Sequence, residues 1–90
     1  MTIQQFVKGP DEVLDFTFNW ATWLDSDTIA SDTVTVATGL TKDSDSNDTT
    51  SVTVWLSGGT AGTAYKVTSQ IVTAAGRTAE RTIIIKVQER

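Results

Sequence analysis

Between residues 14 and 20, large apolar side chains alternate strictly with polar ones. The apolar members are Leu14, Phe16, Phe18 and Trp20. A two-residue period places successive side chains on opposite faces of an extended chain, so one face is apolar and the other polar. The segment therefore predicts a β-strand with one buried face, and such a strand needs a second apolar layer to cover it.

Composition extends this prediction to the whole chain. Thr, Val and Ile supply 17, 9 and 6 of the 90 residues. These β-branched side chains lose rotamer freedom in a helix but fit a pleated, half-buried surface. The sequence predicts further strands over 33–37, 51–56, 64–73 and 81–88, and connections over 25–27, 42–50, 57–63 and 74–77. In the last two strands the alternation gives one parity to Tyr65, Val67, Ser69 and Ile71 and predicts that Ile83, Ile85 and Val87 face inward. Five or six strands at roughly ten-residue spacing indicate an all-β fold, an antiparallel β-sandwich.

The first nine residues differ from the rest. They show no sustained period and are followed by the breaker pair Gly9-Pro10. We expect residues 1–9 to form an N-terminal arm that is mobile in the free protein and orders on docking, with Ile3 and Phe6 as docking residues. Residues 10–90 are expected to form one domain, because a chain of this length has no room for two cores.

Several chemistries lack the residues they need. The chain has no His and no Cys, which excludes Ser-His-Asp and Cys-His catalysis, the usual zinc sites and disulfides. Its net charge of −4 disfavours nucleic acid as a partner. No apolar run approaches the roughly 20 residues of a membrane helix, and no signal-peptide pattern is present. We therefore expect no enzymatic activity, cofactor, nucleic acid or membrane partner.

One acidic stretch resembles the start of a calcium loop. Asp43, Asp45, Asn47 and Asp48 supply closely spaced oxygen ligands. An EF-hand loop, however, has Gly at its sixth position and a bidentate Glu at its twelfth. Those positions hold Asp48 and Val54 here. The sequence therefore predicts a polar connection and no metal site.

The three tryptophans receive different interpretations. Trp20 has the parity of the buried face of the first strand, so we expect it in the core. Trp55 has the parity opposite to Val52, Val54 and Leu56, so one of these two sets must leave the intrachain core. If Trp55 faces outward, it is the best single anchor for a protein interface. Trp23 is the second candidate anchor.

Charge is divided unevenly along the chain. Residues 1–48 carry two basic and nine acidic side chains, a charge of −7, whereas residues 49–90 carry five basic and two acidic, a charge of +3. If the two halves occupy different surfaces, neighbouring copies can dock head to tail or bind oppositely charged partners.

Three stretches together resemble the fiber-tail adaptor proteins of tailed phages. They are VLDFTFNW at 13–20 running into WLDSDTI at 23–29, VWLSGGTAGT at 54–63, and YKVT at 65–68 followed by AAGRT at 74–78. The similarity extends over roughly residues 8–90, and the Trp-Leu-Ser-Gly-Gly-Thr-Ala-Gly-Thr run is its most specific part.

The resemblance implies an immunoglobulin-like β-sandwich and a non-enzymatic virion structural protein. Such a protein is present in several copies and joins tail and fiber components through protein–protein contacts, with tail, fiber or capsid subunits as partners. It assembles in the host cytoplasm, and no catalytic residue comes with the family. Two alternatives remain: a capsid decoration or cement protein, and a carbohydrate-binding module that contacts the host surface through Trp23 and Trp55.

Overall fold

The computed structural model describes residues 4–89. Within this range the chain forms seven strands and one short helix. The elements are β1 (Gln4–Lys8), β2 (Leu14–Asn19), α1 (Ala21–Leu24), β3 (Ile29–Val36), β4 (Leu40–Asn47), β5 (Ser51–Gly58), β6 (Thr63–Thr73) and β7 (Thr78–Val87). No helix among these residues is long and apolar enough to span a bilayer.

The strands form two sheets, with orders β1-β7-β6-β3 and β2-β5-β4. All neighbouring strands are antiparallel except β1 and β7, which are parallel. The groupings of second with fifth and fourth strand, and of third with sixth and seventh, are those of an immunoglobulin constant domain. The first strand differs because it joins the sheet of the last strand instead of that of the second. The predicted all-β sandwich is confirmed.

The core consists of the inward-facing sets that the alternation predicts. Phe16 and Phe18 of β2 are buried, and so are the alternate residues of β6 and β7. Because each sheet buries one face against the other, a period of two in the sequence becomes a continuous apolar layer. Together with Phe16 and Phe18, the buried apolar residues are Trp20, Leu24, Ile29, Val34, Leu40, Val52, Val54, Leu56, Tyr65, Val67, Ile71, Ile83, Ile85 and Val87.

The N-terminal segment contains a strand that the sequence does not predict. Gln4–Lys8 pairs in parallel with β7, with Phe6 opposite Ile85 and Lys8 opposite Val87. The Lys8 side chain is fully buried, and its Nζ donates to the carbonyl oxygens of Gly58 at 2.7 Å and Gly9 at 2.8 Å. The sequence gives no signal for this strand, because its side chains show only weak periodicity. The strand is held in place by backbone pairing with β7. Mobility of the arm in the free protein stays a prediction.

The expectation of a loop over 42–50 is wrong, because Leu40–Asn47 forms β4 at the edge of the smaller sheet. Most of its side chains are exposed, and the pairing with β5 shifts register between Lys42 and Ser44. A hydrophilic edge strand with a bulge shows no alternation, because its stability comes from the neighbouring backbone. The true turn is short: Asp48 accepts hydrogen bonds from the amides of Thr50 and Ser51.

Other element boundaries also differ from the prediction: β5 extends to Gly58, and β7 begins at Thr78 and not at residue 81. The strand expected over 33–37 begins earlier, at Ile29, and an irregular register between Ile29 and Ser31 interrupts its alternation. The single helical turn Ala21–Leu24 is too short to produce a helical period in the sequence.

Candidate protein interface

Trp55 lies on the outer face of the β2-β5-β4 sheet. It is 43% exposed, whereas its neighbours of opposite parity, Val54 and Leu56, are fully buried. The two sets compete for the same interior, and the aliphatic set occupies it. The alternation left this choice open, and the structure places the tryptophan outward.

Polar side chains surround the exposed indole. Trp55 lies opposite Asp15 of β2 and, on β4, opposite Ser44. Thr53 hydrogen-bonds to Thr17 across the same face at 3.1 Å, and Ser57 donates to Asp43 at 3.0 Å. We name this surface the Trp55 face and define it by Asp15, Asp43, Ser44, Thr53 and Trp55. It combines a large aromatic side chain with two carboxylates.

Trp23 occupies a different place. It is half-buried in α1, with its ring centroid 5.5 Å from that of the buried Trp20 in an edge-to-face arrangement. The Arg77 guanidinium lies 4.4 Å from the Trp23 ring centroid, and that of Arg81 lies 4.4 Å from the Trp20 ring centroid. The expected core position of Trp20 is confirmed. The Trp23 ring therefore contacts Trp20 and Arg77 of its own chain, and its role in an interface stays a prediction.

The two candidate anchors do not share a platform. Trp20, which contacts Trp23, donates its backbone amide to the Thr50 carbonyl, just before β5 begins. Trp55 lies in the middle of that strand, five residues after Thr50, which corresponds to about 16 Å of extended chain. A glycan platform built from both tryptophans is therefore absent from this arrangement.

Of the two residues expected to dock from the arm, the structure describes one. Phe6 is half-buried on β1, with its ring centroid 5.5 Å from that of Phe16 at an interplanar angle of 57°. Ile3 lies outside the described residues. Phe6 thus joins β1 to the core of its own sandwich, while its contact with a partner stays a prediction.

The outer face of the β1-β7-β6-β3 sheet carries a second candidate surface, which was not predicted from the sequence. Lys66 of β6 lies opposite Ile84 of β7, and Lys86 lies opposite Val7 of β1. All four have the parity opposite to buried core residues; the two lysines and Val7 are exposed, and Ile84 is half-buried. We name this surface the Lys66 face and define it by Val7, Lys66, Ile84 and Lys86. The alternation of β6 and β7 could have predicted this surface. Once the buried parity of these strands is known, Lys66, Ile84 and Lys86 must face outward.

A charged cluster lies beside α1, at the end of the sandwich that contains the β6–β7 hairpin. Asp27 accepts hydrogen bonds from Nε and Nη2 of Arg77 at 3.1 and 3.0 Å, and from the Thr28 amide at 2.8 Å. A hydrogen bond from Thr73, followed by those from Thr28, Arg77 and Ala75, outweighs desolvation and lowers the pKa of Asp27 from 3.8 to about 2. Arg77 also donates to the Leu24 carbonyl. The cluster links α1, the following turn and the β6–β7 hairpin.

This arrangement predicts a loss of stability in acid. Because the folded pKa of Asp27 lies below the unfolded value, its contribution is complete above about pH 4 and disappears as the pH falls through about 2. Replacing Asp27 with Asn is expected to lower the melting temperature at neutral pH and to flatten its decline between pH 4 and 2. Thermal melts across this range measure both effects. Asp25→Asn, at an exposed neighbouring position, is the control and should keep the wild-type decline; an equally steep decline in Asp27→Asn would contradict the assignment.

The acidic stretch on β4 and its turn engages protein groups. Asp45 pairs with Lys42 at 3.1 Å, Asp43 accepts from Ser57, and Asp48 accepts from Thr50 and Ser51. Across residues 4–89 no group of three or more metal-binding side chains is arranged to hold an ion.

A family model described as podophage GP4 fiber-tail adaptor protein gp77 matches residues 8–86. The search of curated proteins gives no match.

Proposed function

Because the chain belongs to the podophage fiber-tail adaptor family, whose model covers nearly all of it, we propose that it joins tail and fiber components of the particle through protein–protein contacts, and that the Trp55 face is one of its docking surfaces. The family gives the chain a structural role in a phage tail. What we propose is which surface of the chain makes the contacts for this role.

The observation that carries this assignment is the exposure of Trp55. A tryptophan in the middle of the otherwise polar outer face of this sheet leaves a large apolar area in water, and burial of such side chains frequently dominates binding energy. Its folding role is small, because the core beneath it is already complete with Val52, Val54 and Leu56. Binding to a partner buries the part of the Trp55 indole that folding leaves exposed.

The family match also bears on the two alternative functions. It favours a tail position over a capsid decoration or cement role. A host-glycan role requires Trp55 to stack on a sugar ring by itself, since Trp23 lies elsewhere. Titration with glycans, followed by tryptophan fluorescence, tests that alternative directly.

Trp55→Ala provides the main test. We expect the variant to fold, with a melting temperature close to that of the wild type, and to be incorporated into particles at least about tenfold less, because a central tryptophan typically contributes 2 kcal/mol or more to an interface. Quantifying the protein in purified particles after complementation of a phage that lacks the gene measures this.

Val72→Ala is the matched control, since Val72 is 39% exposed on the other sheet and far along β6 from the Lys66 face. It should be incorporated normally. Normal incorporation of Trp55→Ala, or equal losses of folding and incorporation, would overturn the proposed role of the Trp55 face.

A further inference from the structure

The Trp55 face and the Lys66 face lie back to back at one end of the sandwich. The end of β5, next to Trp55, is joined to the end of β7 through Lys8, which pairs with Val87 and donates to the Gly58 carbonyl. The two faces belong to different sheets and point in opposite directions. They cannot meet within one molecule.

Their charges are opposite. The Trp55 face presents Asp15 and Asp43, whereas the Lys66 face presents Lys66 and Lys86. The salt bridges among the described residues, Lys42–Asp45 and Asp27–Arg77, involve none of these four. Thus the uneven charge of the two halves of the sequence becomes, at this end, a difference between the two surfaces. Complementary surfaces of this kind steer encounter and fix orientation.

One face has a projecting side chain and the other has a depression. The Trp55 indole projects from one face, and a depression of about 170 Å³ lies at the edge of the other, lined by Gly62, Thr63, Ala64, Lys86, Val87 and Gln88. A cavity of about 150 Å³ is known to hold a benzene molecule, so this depression has room for part of an indole. The Lys86 ammonium at its rim can approach the ring as a cation–π partner.

We propose that the partner of the Trp55 face is the Lys66 face of a second copy of this chain. The Trp55 indole of one copy enters the depression beside Lys86 of the next, and Asp15 and Asp43 pair with Lys66 and Lys86. This inference rests on the proposed function, since it names the partner of the same docking surface.

The contact is heterologous, because it joins two different patches. Each copy therefore keeps one free face of each kind, and the arrangement repeats as a ring if the rotation closes or as a filament if it does not. The described residues extend 42 × 25 × 19 Å, so half of the largest face covers roughly 500 Å² per copy, at the weak end for specific interfaces. Self-association of the free protein is accordingly expected at high protein concentration and low salt.

Charge exchange tests the proposal. In sedimentation experiments on the full chain, the weight-average mass of the wild type should rise with concentration. Lys66→Glu/Lys86→Glu and Asp15→Lys/Asp43→Lys should each weaken association at least about tenfold, because they place like charges on both faces. An equimolar mixture of the two variants should associate again, since each supplies a face complementary to the other. Gln70→Glu, elsewhere on the outer face of β6, should associate as the wild type does.

Cysteine pairs test the orientation, because the natural chain has no Cys. Thr53→Cys mixed with Ile84→Cys should give a disulfide-linked heterodimer on mild oxidation, and the double variant should give a ladder. Preferential homodimers of either single variant would indicate a symmetric contact and overturn the proposal.

The failures of the two proposals are distinguishable. A wild type that stays monomeric, or whose association is unchanged by the lysine reversals, overturns the self-docking inference. If Trp55→Ala is nevertheless lost from particles, the Trp55 face remains a docking surface for a different virion protein.

Discussion

Replacing Trp20 with Ala is expected to lower the free energy of unfolding by about 3–5 kcal/mol, the range for removing a buried aromatic side chain. Trp20 is 2% exposed, and its ring contacts Trp23 at its edge and the Arg81 guanidinium at its face. Truncation to Ala leaves a cavity and removes the ring that Trp23 and Arg81 contact. A 90-residue domain is typically stable by roughly 5–14 kcal/mol, so this loss is a large share of the total.

Urea denaturation followed by circular dichroism measures the change, and Trp23 and Trp55 remain as fluorescent probes. Trp55→Ala is the matched control, because it deletes the same side chain from a position that is 43% exposed. It should cost less than about 1 kcal/mol in the monomer. Equal losses for the two variants would contradict the assignment of Trp20 to the core and of Trp55 to the surface.

Gly59→Ala is expected to lower the free energy of unfolding by about 2–5 kcal/mol, for two separate reasons. Gly59 has a φ of +94°, where a side chain adds roughly 1–2 kcal/mol of strain. A Cβ atom built there also lies 2.7 Å from Cγ2 of Val87, with Leu40 and Tyr65 at 3.4 Å. Val87 is fully buried, so relieving this overlap requires a shift in the core at a further cost of about 1–3 kcal/mol.

Gly62→Ala separates these contributions. Gly62 has a similar φ of +87°, and nothing lies within 4 Å of a Cβ atom built there. It should lose only the backbone part, about 1–2 kcal/mol. Denaturant titration of both variants gives the difference, which measures the close approach of the β5–β6 turn to Val87. Equal effects would show that the turn can move away from the core without loss.

Much of the fold follows from side-chain alternation. The strand predicted over 14–20 is found at Leu14–Asn19, and the shared parity of Tyr65, Val67 and Ile71 and the connection at 74–77 are found where the sequence predicts them. These signals are local, since the residues that show the period are the residues that form the strand. The family resemblance, carried by motifs in the same segments, is confirmed by the match over residues 8–86.

Other elements left no such signal. β4 is a polar edge strand, and its bulge at Lys42 and Ser44 removes any period. β1 depends on backbone pairing with β7, whose paired residues lie 79 positions further along the chain. Asp27 and Arg77 are fifty residues apart, and no local pattern pairs them. For β1 and for the Asp27–Arg77 pair the stabilising partner is distant in sequence. β4 pairs with the next strand in the chain and lacks a signal because it is polar and bulged.

The sequence by itself determined the fold class, the core parity of β6 and β7, and the lack of residues for His- or Cys-dependent chemistry. Only the tertiary structure decided that Trp55 faces water and that acidic and basic faces lie back to back. The physical reason is that alternation sorts a strand into two sides without saying which side is inner. The opposing sheet decides which side is inner, because Val52, Val54 and Leu56 join its apolar residues in one buried cluster and the Trp55 indole stays outside.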